Sequence, residues 1–285
     1  MINKTLNFFN YFFLKKKVVL VEENQGLAHL VRSLNEIQII GIDTEFEWRN
    51  TYFPIPSLIQ ISTLKQIFLI DCQKLEILDE LVEILQNNEI LVIFHSARSD
   101  TTLLSKAIGI EIKNAFDIQV AEKLLSNGEN LSYAKIVYKY FGVKLNKSET
   151  NSRWLIRPLT EKQLDYAAKD AQYLIEIFKK QSKLLKKENL LDEVFNLSRK
   201  EASLGNQSLS ISRLKKYTNK TLKEKRLVSW REKKSEQLNI PPSHLFSDKN
   251  IKKILSSIES SDINYLNQLF GNETFSSELL NEVGK

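Results

Sequence analysis

One cysteine and one methionine occur in 285 residues, with only eight glycines and five prolines. The lone thiol, Cys72, excludes an intrachain disulfide and suits a reducing, cytoplasmic setting. The three histidines, His29, His95 and His244, lie far apart and, with one cysteine, argue against a structural zinc site. Any metal must then be held mainly by oxygen, which suits magnesium or manganese. No run reaches the roughly 18 apolar residues that cross a bilayer, so no membrane partner is expected. The aromatic stretch Leu6–Leu14 is broken by Asn7 and Asn10 and is followed, not preceded, by lysines, the reverse of a secretory leader. It is expected to be an edge strand or a docking helix.

What is present is ordinary in bulk and uneven in detail. A hydrophobic fraction of 42% and a charged fraction of 27% suit a globular chain. The length allows one good core and a smaller second domain. Between Arg199 and Lys234, twelve Lys or Arg face three Glu, a local net of +9 that leaves −3 for the rest of a +6 chain. A mildly acidic front with a basic stretch behind it suits a metal site plus a polyanion grip. A solvated, lysine-rich helix face accounts for the stretch equally well.

Hydrophobic spacing predicts a buried strand over 37–43, two more over 57–63 and 66–70, a short helix over 78–85, and a fourth strand over 90–94. Helices are expected over 99–108, 116–125, 131–141 and 161–188. This order implies a mixed α/β sheet with helices on its faces. Residues 1–202 are assigned to that domain. The polar stretch 203–212 reads as a linker, and 213–285 reads as a small all-α domain interrupted at Pro241 and Pro242.

Four carboxylates and a tyrosine carry the chemistry. Asp43 and Glu45 are two apart in a strand, so their side chains share a face. Tyr166 and Asp170 are four apart in a helix and share one too. Asp100 follows a buried strand at a helix start. Four acidic groups brought together repel one another unless cations intervene, so the set implies bound metal. Hydrolysis of a phosphodiester needs a hydroxide near neutral pH and stabilisation of a leaving oxygen, which two ions roughly 3.5–4 Å apart supply. Each residue alone has a structural reading: Asp100 as a helix cap, Tyr166 as a core tyrosine, Asp-x-Glu as surface. Together they point to a metal-dependent nuclease.

The motifs resemble the ribonuclease D family of four-carboxylate exonucleases that carry a tyrosine in the third motif. Asp43-Thr44-Glu45-Phe46, with Tyr52 and Gln60 beyond it, is similar to the first motif. His95 to Asp100 is similar to the second, and Arg157-Pro158-Leu159 with Tyr166-Ala167-Ala168-Lys169-Asp170 to the third. Arg226 to Glu232, with Pro241 and the helical pattern after it, resembles the HRDC-like domain shared by RecQ-type helicases and ribonuclease D.

The resemblance implies a ribonuclease H-like exonuclease domain followed by a small helical HRDC-like domain. It implies two divalent ions, Mg2+ or Mn2+, held by Asp43, Glu45, Asp100 and Asp170. Tyr166, with Glu45, would orient or help deprotonate the attacking water. Thr44, Phe46, Tyr52 and Gln60 would line the pocket for the last nucleotide. His95 is expected as a hydrogen-bonded support, and Trp154 and Trp230 as core. The implied activity is 3′→5′ removal of nucleoside 5′-monophosphates from RNA, trimming precursor tRNA ends, by a monomer. A DNA-directed exonuclease and a catalytically silent nucleic-acid-binding adapter are the alternatives.

Overall fold

Apolar residues at every second position divide a six-stranded sheet into two buried faces. The computed structural model describes residues 16–75 and 79–284; the expectations for Leu6–Leu14 and for Leu78 lie outside them. The strands are β1 (Lys17–Val21), β2 (Ile39–Glu47), β3 (Ile55–Ser62), β4 (Gln66–Asp71), β5 (Leu91–Phe94) and β6 (Ala115–Asp117). Their spatial order is β1-β4-β3-β2-β5-β6. β3 is antiparallel to both β2 and β4, and the other pairs are parallel.

Ile40, Ile42, Ile59, Ile61, Phe68 and Ile70 face one side. There they meet Leu27, Leu30 and Leu34 of α1 (Asn24–Leu34) and Leu81 and Leu85 of α2 (Asp79–Gln86). Leu58, Ile67, Leu69 and Ile93 face the other side. They pack with α5 (Tyr133–Phe141), α6 (Glu161–Gln172) and α7 (Leu174–Lys187). Each such fully buried aliphatic side chain contributes about 1.5–3 kcal/mol by leaving water. Gly41 in β2 has no Cβ to obstruct this second face: one placed there would lie 2.8 Å from Cβ of Leu174.

Around the sheet run α3 (Arg98–Leu103), which continues as a π turn to Ile108, then α4 (Ile118–Leu125) and α8 (Leu191–Asn206). The helical part comprises α9 (Leu209–Leu214), α10 (Leu222–Leu238), α11 (Pro242–Leu245), α12 (Ile251–Glu259), α13 (Ile263–Phe270) and α14 (Glu273–Val283). Contacts divide the chain into two compact units. One contains the sheet, through Glu47 and from Ile55 to Asn206; the other contains Trp48–Pro54 and everything from Gln207 onward. The loop between β2 and β3 thus belongs structurally to the helical unit. Trp230 is 3% exposed in that unit's core, with Leu227, Ile254 and Leu279.

Several expected boundaries change. Residues 203–212, expected as a linker, contain the division between the two units at Asn206 and Gln207 but are largely helical: α8 runs to Asn206 and α9 begins at Leu209. Gly205 allows α8 to approach α3, since a Cβ there would lie 2.7 Å from the Arg98 carbonyl. The expected helix over 116–125 begins as β6, because Val92 to Phe94 of β5 recruit Ala115 to Asp117 into the sheet. The expected single helix over 161–188 breaks at Tyr173. There the buried Tyr133 hydroxyl accepts from the Tyr173 N–H at 3.1 Å and donates to the Lys169 carbonyl at 3.2 Å. A side chain inserted in this way replaces a turn of the helical ladder and bends the helix. Among the described residues no helix is long and apolar enough to cross a membrane.

Candidate active site

The sheet brings the carboxylates of β2 beneath α6. Asp43 pairs with Gln60 and Glu45 with Leu58 across the β2–β3 ladder, and a bulge follows between Glu45 and Phe46. A capping box starts α6: Thr160 Oγ1 accepts from Gln163 N–H, and the Gln163 side chain accepts from Thr160 N–H. That helix carries Tyr166 and Asp170 on one face. Asp43, Glu45 and Asp170 each present a carboxylate oxygen within 4.8 Å of the others. Asp100 sits 5% exposed in the first turn of α3. It accepts a 2.6 Å hydrogen bond from Thr44 Oγ1.

Burial and mutual repulsion work in the same direction here. Burial, with Asp100, Asp170 and Glu45 alongside, holds Asp43 well above the usual carboxylate range. Burial first, then the charges of Asp170 and Asp100, push Glu45 up to about 9. Burial raises Asp100 to about 7 against the pull of the Thr44 hydroxyl. It raises Asp170 to about 6, opposed by the Tyr166 hydroxyl and by Lys147. An all-oxygen set that resists ionising alone suits a hard divalent cation, whose charge reverses that resistance. Tyr166 itself is raised by burial and by Asp170, so its phenol keeps its proton. Thr150 Oγ1 lies 3.3 Å from the Tyr166 hydroxyl. A cavity of about 220 Å3 opens onto Asp43, Tyr166 and Asp170.

The 3′–5′ exonuclease family model matches residues 18–186. The chain belongs to the 3′–5′ exonuclease family. Among its relatives, the chain is 30% identical to ribonuclease D of Desulfotalea psychrophila over 245 residues, covering 82% of this chain and 65% of that protein. It is 31% identical to ribonuclease D of Xanthomonas oryzae over 239 residues, covering 81% and 66%. It spans just under two thirds of the length of these relatives. The crystal structure of Escherichia coli RNase D, described as an exoribonuclease involved in structured RNA processing, shares its fold. The TM-score is 0.83 at 24% identity, covering 94% of this chain and 74% of that one. The ribonuclease D resemblance is borne out, as is a mixed α/β exonuclease fold followed by a helical region.

The structure redistributes the residues expected around the last nucleotide. Thr44 is 7% exposed and uses its hydroxyl on Asp100, so it supports a carboxylate. Tyr52 is fully buried within the helical unit, not at a pocket surface. Its hydroxyl donates to Glu232 at 3.3 Å, and the Arg213 guanidinium lies 4.5 Å from its ring centre. Gln60 is also fully buried, opposite Asp43, with neither side-chain amide atom hydrogen-bonded to any described residue. Phe46 is half-buried just after the bulge in β2.

His95 is a support, as expected. Burial lowers its pKa, and its Nε2 donates to the Leu131 carbonyl at 3.2 Å. Trp154 is 2% exposed, in the core beside Tyr166. Arg157, in the third motif, grips Asp71 with two 2.7 Å hydrogen bonds and ties the segment before α6 to the sheet. Lys147 and Thr150, which line the cavity at the carboxylates, carried no motif signal.

Proposed function

We propose that this chain is a metal-dependent 3′→5′ exoribonuclease that releases nucleoside 5′-monophosphates and trims the 3′ ends of precursor tRNA and other small RNAs. The observation that carries the reading is the convergence of Asp43, Glu45 and Asp170 within 4.8 Å. The ribonuclease D relatives support RNA as the substrate. In this reading Asp43, Glu45 and Asp170 would hold one divalent ion, and Asp43 with Asp100 would hold a second, Mg2+ or Mn2+. When bound, the ions lower the pKa of water and offset charge on the scissile phosphate and the leaving oxygen.

The chain's own groups supply the rest. Tyr166 keeps its proton and hydrogen-bonds Asp170, so its hydroxyl is positioned to orient the attacking water. Glu45, made basic by burial, assists removal of the water's proton. Phe46 supports the terminal nucleotide, while Thr44 holds Asp100 in place. The unit from Gln207 onward is the HRDC-like nucleic-acid-binding part of this reading, and the protein acts as a cytoplasmic monomer.

The test uses matched 5′-labelled RNA and DNA oligomers, with and without manganese. RNA should shorten one nucleotide at a time from its 3′ end, only with metal, and yield nucleoside 5′-monophosphates. Faster loss of the DNA would move the reading to a DNA-directed exonuclease. Binding without any cleavage would leave the adapter.

A further inference from the structure

The site cavity does not end at the carboxylates. A second, more open cavity of about 450 Å3 shares Ser132, Ala134, Leu145 and Lys147 with it. Its remaining wall is Lys135, Tyr138 and Lys144. Helical spacing explains this wall. In α5, Tyr133, Ile136, Val137 and Phe141 turn into the core, which leaves Ala134, Lys135 and Tyr138 on the open face. Tyr138 is 54% exposed, so its ring is available.

The charges on this wall are free. Lys135, Lys144 and Lys147 are exposed and form no ion pair with any described residue. Lys139, on the same helix, differs: it meets the buried Glu122 at 2.5 Å. Lys147 joins the two cavities electrostatically, since its charge acts on both Asp170 and His95. Ammonium groups spaced along a groove with an exposed ring are what a single strand requires: cations for the phosphates and a flat face for a base.

We infer that this second cavity is the entry track for the single-stranded 3′ segment of a nucleic-acid substrate. Lys147, Lys144 and Lys135 contact phosphates upstream of the scissile one, and Tyr138 stacks on a base. The inference rests on the exonuclease reading above and specifies how that site takes its substrate.

The experiment compares the wild type with Tyr138→Ala and with the double variant Lys135→Gln/Lys144→Gln. A charge-matched control, Lys183→Gln/Lys186→Gln, alters exposed lysines of α7. Dissociation constants for fluorescent RNA di- and octanucleotides are measured in metal-free buffer over a salt series. The wild type should bind the octamer more tightly than the dimer. Tyr138→Ala should raise the octamer Kd about five- to 150-fold, the range for losing one stacked base. The double variant should lose much of the length-dependent gain and flatten the salt slope by about 1.4, at roughly 0.7 per phosphate contact. The control should keep both. An unchanged length gain and slope in the double variant overturns the track, as does an equal loss in the control. KM and kcat for the octamer with manganese are measured alongside. If the wild type cleaves nothing yet the binding pattern holds, the exonuclease reading fails and the track stands.

Discussion

At the sheet unit's site, Asp43, Glu45, Asp100 and Asp170 crowd together and every one is raised above its ordinary range. In the helical unit the buried charges meet opposites. Arg231, 4% exposed, bonds Asp248 Oδ1 at 2.8 Å, the Phe246 carbonyl at 3.0 Å and the Tyr217 hydroxyl at 2.9 Å. Glu232, 2% exposed, meets Arg213 at 3.3 Å and receives the Tyr52 hydroxyl. Like charges held together cost stability and prepare a site for a cation; opposite charges held together satisfy a fold. Burial alone therefore does not separate function from structure. The sign of the neighbours does.

The same contrast reinterprets the basic stretch over 199–234. Six of its cations, Arg213, Lys220, Lys223, Arg231, Lys233 and Lys234, form ion pairs. Four of the partners, Asp248, Glu259, Glu278 and Glu282, lie beyond the window that gave +9. A local charge count overstated the free charge because it stopped at Lys234. The unpaired lysines near the site lie within residues 135–147, a stretch with four Lys and no acidic residue.

The largest test of the comparison is Asp43→Asn. Turnover should be abolished, because an amide cannot replace a carboxylate proposed to touch both ions. Because burial and its neighbours already disfavour the Asp43 charge, a neutral amide there should leave the metal-free protein melting no lower than wild type. Turnover and thermal unfolding measured together check both statements, and near-normal turnover in a folded variant would sink the two-metal reading.

Tyr166→Phe should slow catalysis by about 10²–10⁴-fold, the usual worth of a group that positions or moves a proton. Metal affinity should stay close to wild type. A variant that instead loses metal while keeping its saturated rate would move Tyr166 to the ligand set. In the helical unit, Arg231→Ala leaves the buried Phe246 carbonyl and Tyr217 hydroxyl short of a donor while the exposed Asp248 stays solvated, and should cost about 1–3 kcal/mol of stability. Urea unfolding measures this, and a loss under about 1 kcal/mol would show that the network contributes little.

A smaller effect follows from pH. The site carboxylates are raised in the folded state, so the native protein binds more protons than the unfolded chain above the ordinary carboxylate range. Their stabilising protonation is complete below that range. It is lost as pH rises through about 6 for Asp170, about 7 for Asp100 and about 9 for Glu45. Metal-free protein should thus melt progressively lower from pH 5 to pH 9, and manganese should restore more stability at pH 9 than at pH 5. A metal-free melting curve that rises over this interval would contradict the crowding. The smallest expected change is at Tyr133→Phe. Loss of the hydroxyl that bridges Lys169 and Tyr173 should lower kcat several-fold by loosening the end of α6 that bears Asp170. An unchanged kcat would confine Tyr133 to a packing role.

Sequence by itself determined the chemistry and the layers. Asp43 with Glu45 and Tyr166 with Asp170 were legible because strand and helix periods put each pair on one face. Alternating isoleucines marked β2 and β3, and the motif set led to the exonuclease family that the family model confirms. Tertiary structure decided what depends on partners far along the chain. β1 and the three-residue β6 exist only through pairing with β4 and β5. The break at Tyr173 comes from a hydroxyl forty residues earlier. Thr44 is turned from nucleotide to Asp100, and Tyr52 is drawn into the helical unit by Glu232, Arg213 and Asn239. Local periodicity reports which face a residue occupies. It does not report what packs on that face, and here that decides which polar groups reach the substrate and which only hold the fold.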